Sequence, residues 1–230
     1  MIAVVPEPPL LVPQLATGAA EETADLRAAV LAAGRRLASA SAEWIVVGSD
    51  AGGRRSVGAD ARGTFAGFGA DVVVGMSPGA AGPVDPELPL PLLIASWLAE
   101  GLGVTLRGEL VAPDTPAREC AALGTELARA TTALLVVGDG SAKHTEKAPG
   151  YFDERAHAYD AAVADALAAG DPAALAAAVA DPGPAAELWV SGRAPWLVMA
   201  GAAQGAAWRV ERGYSAAPFG VHYHVAVWER

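Results

Sequence analysis

Ala133-Leu134-Leu135-Val136-Val137-Gly138-Asp139-Gly140-Ser141 is the stretch on which the fold turns. Its apolar run is too short for a helix and shows no polar alternation. Such a run suits a strand buried on both faces of a sheet. Gly138 to Ser141 then close it with a tight polar loop. The same grammar occurs twice upstream. Ile2 to Val5 is a β-rich run stopped by Pro6-Glu7-Pro8-Pro9, whose prolines exclude both helix and central strand. Trp44 to Val47 reads Trp-Ile-Val-Val and ends in Gly48-Ser49-Asp50-Ala51-Gly52-Gly53.

Helical patterns separate these runs. Glu21 to Ser39 carries Leu26, Val30, Leu31 and Leu37 at helical spacing, with acids early and Arg35-Arg36 late, as the helix dipole prefers. Leu92 to Gly101 and Thr115 to Thr132 read as further helices, the second with Cys120, Leu123 and Leu127 on one side. Phe152 to Ala169 is an alanine-rich helix ending at a Gly170 C-cap, and Pro172 to Val179 is a shorter one. Glu187 to Ala203 is helical with interruptions at Gly192 and Pro195, preceded by a loop at Asp181 to Pro184. Asp71 to Val74 and Val104 to Leu106 are short strands, and Trp208 to Tyr214 and His222 to Trp228 alternate as terminal strands.

No repeat or change of composition divides residues 1–230, so one domain is expected. Helices alternating with buried strands imply an α/β fold, a central mixed sheet flanked by helices on both faces. In such sheets the loops at the carboxyl ends of the strands gather the site. Pro6-Glu7, Ser49-Asp50 and Asp139 to Ser141 are therefore expected at one crevice.

The 230 residues carry a net charge of -10 and an estimated pI of 4.8. That argues against a nucleic-acid partner, which needs a basic stripe, and against an anionic membrane surface. The mean hydropathy of +0.30 comes from Ala, Val and Leu spread along the chain. The run Pro91 to Ala99 is too short to span a bilayer. Met1-Ile2-Ala3-Val4-Val5 lacks a basic leader and reads as a strand rather than a signal peptide. The lone Cys120 reads as a small buried residue and agrees with a reducing, cytoplasmic setting. The expected partner is a small-molecule substrate or ligand, with a homo-oligomer left open.

A glycine-rich phosphate loop, a GxSxG elbow and an HExxH motif are all missing, and four histidines with one cysteine argue against a His/Cys zinc site. His144 sits in Ser141-Ala142-Lys143-His144-Thr145-Glu146-Lys147, a polar loop after a strand, as a candidate general acid/base or a solvated loop histidine. His222 and His224 alternate on one strand face, as a ligand pair or as filling for the crevice, while His157 reads as a surface residue of a helix. Trp189 and Trp196, near Glu187, are either core or the wall of an aromatic pocket. Arg54-Arg55 is either an anion clamp or a solvated pair.

The strand followed by Pro6-Glu7-Pro8-Pro9-Leu10-Leu11-Val12-Pro13 resembles the opening of the class III extradiol dioxygenase subunit-B family and its relatives, the Memo proteins, which read Pro-His-Pro-Pro there. Trp44 to Gly52 resembles that family's second strand, which ends in Ser-Pro-His. Gly138-Asp139-Gly140-Ser141 resembles its Gly-Asp-x-Ser-His loop, and Tyr159-Asp160 and Leu167-Ala168-Ala169-Gly170-Asp171 are similar to its following helix. Tyr214-Ser215-Ala216-Ala217-Pro218-Phe219-Gly220-Val221-His222-Tyr223 resembles its terminal Tyr-x-Ala-Pro-Phe-Gly-Val-Gly-Tyr strand.

The resemblance implies a metal-dependent ring-cleavage enzyme in which two histidines and a glutamate hold Fe(II) and a further histidine moves protons. Carried over residue by residue, the first histidine becomes Glu7, the second Ala51 beside Asp50, and the acid/base histidine Ala142, two residues before His144. The glutamate matches Glu187. The implied metal ligands are thus Glu7, Asp50 and Glu187, with His144 as acid/base and Ser49, Asp139, Ser141, His222 and Trp189 around the substrate. The family implies Fe(II), whereas an all-oxygen set suits Mg, Mn or Ca. Three carboxylates converging without a cation would repel. Two readings follow: a remodelled metal enzyme for a small aromatic or carboxylated molecule, or a non-catalytic binding module that keeps the fold.

Overall fold

In the computed structural model, which describes residues 1–16, 18 and 21–230, Ile2–Val5 (β1) is buried along its whole length. It lies between Leu134–Val137 (β8), parallel to it, and Tyr223–Glu229 (β10), antiparallel. Beyond β8 come Glu43–Ser49 (β2) and Thr105–Val111 (β7), both parallel, and then Arg55–Val57 (β3), antiparallel at the edge. Arg209–Ala216 (β9) closes the other edge. Among the described residues this is a seven-stranded sheet in the order β3-β7-β2-β8-β1-β10-β9.

Alternation along β1 sorts the helices into two layers. Ala3 and Val5 face Leu26, Val30 and Leu37 of Ala24–Ala40 (α1) and Leu92 and Leu93 of Leu90–Ala99 (α2). Ile2 and Val4 face Cys120 and Leu123 of Ala117–Ala130 (α3) and Val163 of Arg155–Ala169 (α4). Leu175 of Pro172–Ala178 (α5), Ala185 of Pro182–Glu187 (α6) and Val198 of Arg193–Ala203 (α7) complete that second layer. Each fully buried Val or Leu contributes roughly 1.5–3 kcal/mol, so these two layers dominate the stability. The fold is the expected α/β arrangement, a mixed central sheet with helices on both faces. No described helix is long and apolar enough to cross a membrane.

Some elements differ from the sequence reading. Asp181 to Pro184 is not a loop: the Asp181 carboxylate accepts from the Gly183 N–H and starts α6, with Pro182 in the first helical position. The helix expected over Glu187 to Ala203 begins only at Arg193, because α6 ends at Glu187 and Trp189 adopts a φ of 60°. Pro195 falls in the first turn of α7, where its missing N–H costs nothing. The strand at Val104 to Leu106 runs on to Val111; Glu109 within it is buried, accepting from Ser56 Oγ at 2.8 Å and pairing with Arg107 at 3.3 Å. Arg62–Thr64 (β4), Val73–Gly75 (β5) and Val84–Asp85 (β6) form a second small sheet in the order β5-β4-β6; β5 overlaps the strand expected at Asp71 to Val74, shifted by one or two residues, while β4 and β6 were not expected.

The register fixes what gathers at one edge. Val5 pairs with Val137 and Val47 with Val136, so β1, β8 and β2 end together. Because β10 is antiparallel to β1, its amino end points to the same edge. Glu7, Ser49, Asp139 and His222 all follow from these strand ends.

Candidate metal centre

The loop after β8 is tied to the chain before β10 by backbone hydrogen bonds. Gly140 N–H donates to His222 O at 2.8 Å, His222 N–H to Ser141 O at 2.9 Å, and His144 N–H to Gly220 O at 3.0 Å. This short ladder carries His144 and His222 to the same place, and both meet Asp160 of α4. His144 Nε2 lies 2.6 Å from Asp160 Oδ2, and His222 Nδ1 lies 3.9 Å from the same oxygen. His224, two residues further along β10, brings Nε2 to 3.6 Å from Asp160 Oδ1. The rings of His222 and His224 stack at 4.4 Å, and His157 meets the edge of His144 at 4.6 Å. Three of the four histidines of the chain thus surround one carboxylate, and the fourth, His157, lies against the ring of His144.

Asp160 can approach this closely because residue 140 is glycine. A Cβ there would lie 2.3 Å from Asp160 Oδ1. The Ser141 N–H donates to both carboxylate oxygens, at 3.2 and 3.1 Å. Burial opposes the charge of Asp160, yet the hydrogen bond with His144 and the close imidazoles of His224 and His222 outweigh it, and its pKa is lowered to about 2. Burial and the neighbouring His224 lower His222 to about 4, so its imidazole is neutral at pH 7.

One donor atom from each of His144, Asp160 and His222 lies within 4.8 Å of the other two, the spacing of a metal-ion site. Two imidazoles and a carboxylate fit a divalent first-row ion better than Mg or Ca. The fit has a second support: His222 Nδ1 and His224 Nε2 are buried without a hydrogen-bond partner among the described residues, and both face the carboxylate. Buried polar atoms are almost always satisfied, and an orphan beside an anion is where a cation is expected.

The ligand trio expected from the sequence does not assemble. Glu187 ends α6 on the surface, 60% exposed, its carboxylate 2.5 Å from Arg155. Asp50 pairs with Arg55 at 3.2 Å. Glu7 is buried beside Asp139 instead, and the trio forms no group of metal-ligating spacing among the described residues. Each acid found a local partner that needs no ion. Of the expected substrate residues, Ser141 is fully buried, its hydroxyl donating to Leu188 O, so it braces the loop rather than lining an open pocket. Ser49 ends β2 with a buried Oγ that has no partner among the described residues. Trp189 is 56% exposed with the Lys143 ammonium 5.6 Å from the centre of its ring, while Trp196 is core, edge-on to His224. His144 and His222 are at the centre, and His224 stacks on His222 just outside the metal-spaced trio. His157 is exposed, but its ring contacts the cluster.

Asp160 was given no role by the sequence reading, although a signal was there. Ala156, Asp160, Val163 and Leu167 form the buried stripe of α4, and a carboxylate in an apolar stripe demands a partner.

A second buried acid pair lies along the same edge. Glu7 N–H donates to Asp139 Oδ1 at 2.8 Å, and Asp139 N–H donates to Ser191 Oγ at 2.8 Å. Burial raises Glu7 to about 7, against a hydrogen bond from Ser191, and its Oε2 has no partner among the described residues. Burial and the charge of Glu7 hold Asp139 well above the carboxylate range. The charge of either acid disfavours ionisation of the other.

No family model matches the chain, and no curated protein matches it. A solved structure does: that of the uncharacterized protein JW3007 from Escherichia coli K12, with a TM-score of 0.55 over 98% of this chain and 97% of that one at 12% identity, a likeness of fold.

Proposed function

We propose that the chain is a metal-dependent enzyme similar to the class III extradiol dioxygenases, with its ion relocated to His144, Asp160 and His222, acting on a small aromatic or carboxylated molecule. The observation that carries this reading is the approach of those three side chains within 4.8 Å, with partnerless imidazole nitrogens facing the anion. The donor set suits Zn(II) or Fe(II). Such an ion, when bound, acts as a Lewis acid and orients a substrate oxygen. The chain's own residues supply the rest. Asp160 provides the anion, the Ser141 N–H fixes its orientation, and Lys143 beside Trp189 offers a cation and an aromatic face next to the loop that carries His144. Glu7, which burial raises to about 7, is a proton-holding acid at the same sheet edge.

One observation favours a second reading, the non-catalytic module. Asp160 is 0% exposed, His224 1% and His144 6%, so an ion here is sealed on most sides and would serve to hold the loop, α4 and β10 together.

The test is titration of the purified chain with Zn(II), Co(II) and Fe(II) under anaerobic conditions, followed by assay of the Fe(II) form on catechols and aromatic carboxylates. Stoichiometric uptake abolished by His222→Ala, with turnover, supports the enzyme; uptake with a raised unfolding temperature and no turnover supports the module. Absence of uptake overturns both.

A further inference from the structure

Ser215, on β9, sits between the two stacked histidines. Its Oγ lies 3.0 Å from His222 Nε2 and 3.1 Å from His224 Nδ1. The nitrogens on the far sides of the same rings, His222 Nδ1 and His224 Nε2, are the partnerless ones that face Asp160. A hydroxyl has one hydrogen to give. At most one imidazole can accept from Ser215; the other must donate its N–H to Oγ and, in the neutral form that a metal site requires, turns a bare lone pair toward the carboxylate.

The arrangement with N–H on both rings facing Asp160 is therefore closed to the neutral pair. The geometry selects among the rest: His224 Nε2 is the nearer to the carboxylate, at 3.6 Å against 3.9 Å, and is the better placed to carry hydrogen. Its Nδ1 then accepts from Ser215, and Ser215 accepts from His222 Nε2–H. His222 Nδ1 is left as the lone pair.

We propose that Ser215 is a positioning residue of the metal centre: its single hydroxyl hydrogen holds His222 and His224 in the same Nε2–H tautomer and so presents the Nδ1 lone pair of His222 beside Asp160, to a divalent cation such as Zn(II) or Fe(II). The inference rests on the metal reading above and adds to it a proton-ordered outer layer, with His224 donating toward Asp160 Oδ1 from behind. Outer-layer partners of this kind orient ligand imidazoles and fix their tautomers, and their loss typically weakens metal binding about 10–100-fold.

The experiment uses the full chain labelled with ¹⁵N-histidine, metal-free and Zn(II)-loaded, alongside Zn(II) affinities of wild type, Ser215→Ala and Ser215→Thr. His222 and His224 are expected as Nε2–H tautomers in the loaded protein. Ser215→Ala should release the His224 tautomer and weaken Zn(II) about 10–100-fold, and Ser215→Thr should restore both. An Nδ1–H tautomer at His224, or an unchanged Zn(II) affinity in Ser215→Ala, overturns the proposal. Should wild type take up no Zn(II), the metal reading falls by itself. The metal-free spectra then still decide on Ser215: a shared tautomer lost in Ser215→Ala supports the relay, and opposite tautomers at the two histidines refute it.

Discussion

Two buried acids lie at the same edge of the sheet and meet opposite fates. Asp160 is fully enclosed and ionised, with a pKa of about 2; Glu7 is almost as enclosed and holds its proton up to a pH of about 7. Burial is common to both, and so it does not decide. What differs is the company. Asp160 receives the Ser141 N–H and faces imidazoles, whereas Glu7 faces a second acid, Asp139. The first arrangement is a negative hole that attracts a cation. The second is an acid that has already taken up its smallest cation, a proton.

The comparison breaks most visibly at Asp160. Asp160→Asn leaves His144, His222 and His224 without their anion and the Ser141 N–H without a charged acceptor. Removing one member of a buried charged network costs about 3–5 kcal/mol, and the metal site is lost with it. Urea unfolding and Zn(II) titration read both effects. In wild type the same interaction has an acid signature. The folded pKa lies below the ordinary 3.8, so the stabilisation is complete above that pH and lost as pH falls toward 2.

Glu7→Gln should go the other way. The folded pKa of Glu7 lies above the ordinary 4.5, so ionisation of the unfolded chain drains wild-type stability as pH rises from about 4.5 to 7. Replacing the acid by an amide removes that drain. The variant is expected to be more stable than wild type by about 2–3 kcal/mol at pH 7–8, with the difference vanishing below pH 4.5. Paired denaturant curves at pH 4 and pH 8 check the sign. A variant less stable at pH 8 than at pH 4, relative to wild type, would mean that Glu7 is an ion-pair acceptor after all.

Gly140→Ala sharpens the contrast without touching an ionisable group. The added methyl would lie 2.3 Å from Asp160 Oδ1 and 2.9 Å from His222 Cβ, with no backbone strain to blame, since Gly140 is not among the positive-φ glycines. Forced overpacking of this kind costs about 1–3 kcal/mol. Here it also prises Asp160 from the Ser141 N–H. Zn(II) affinity should fall while the titration of Glu7 is unchanged, which shows whether the two acids are independent.

The strands that position both acids were legible because apolar runs closed by Gly or Pro leave few alternatives. The strand-end turns were legible for the same reason: Glu7 and Asp139 follow β1 and β8, Ser49 ends β2, and His222 stands just before the start of β10, all at one edge. What the sequence could not supply is which polar groups meet across elements. Asp160 lies 16 residues from His144 and 64 from His224, on a helix whose apolar stripe hides it as one more buried position. Of the small sheet β5-β4-β6 only β5 was legible, through the strand expected at Asp71 to Val74; β4 and β6, of three and two residues, are too short to carry a periodicity. The misplaced ligands, Asp50 and Glu187, came from position in a motif. Position does not reveal that Arg55 and Arg155 lie within reach.

That last point carries the mildest prediction. Glu187 was expected to be the surviving ligand, yet it is exposed at the end of α6 and its one ion pair, to Arg155, is open to water. Exposed pairs of this kind contribute little, because solvent screens the attraction and two flexible side chains must be held still. Glu187→Gln should therefore leave Zn(II) affinity within a factor of about two and the unfolding midpoint unchanged. The substitution discriminates cleanly because the motif places this carboxylate on the ion and the structure keeps it with Arg155. A large loss of metal binding in Glu187→Gln, with His222→Ala silent, would return the centre to the position the motif implies and remove Asp160 from it.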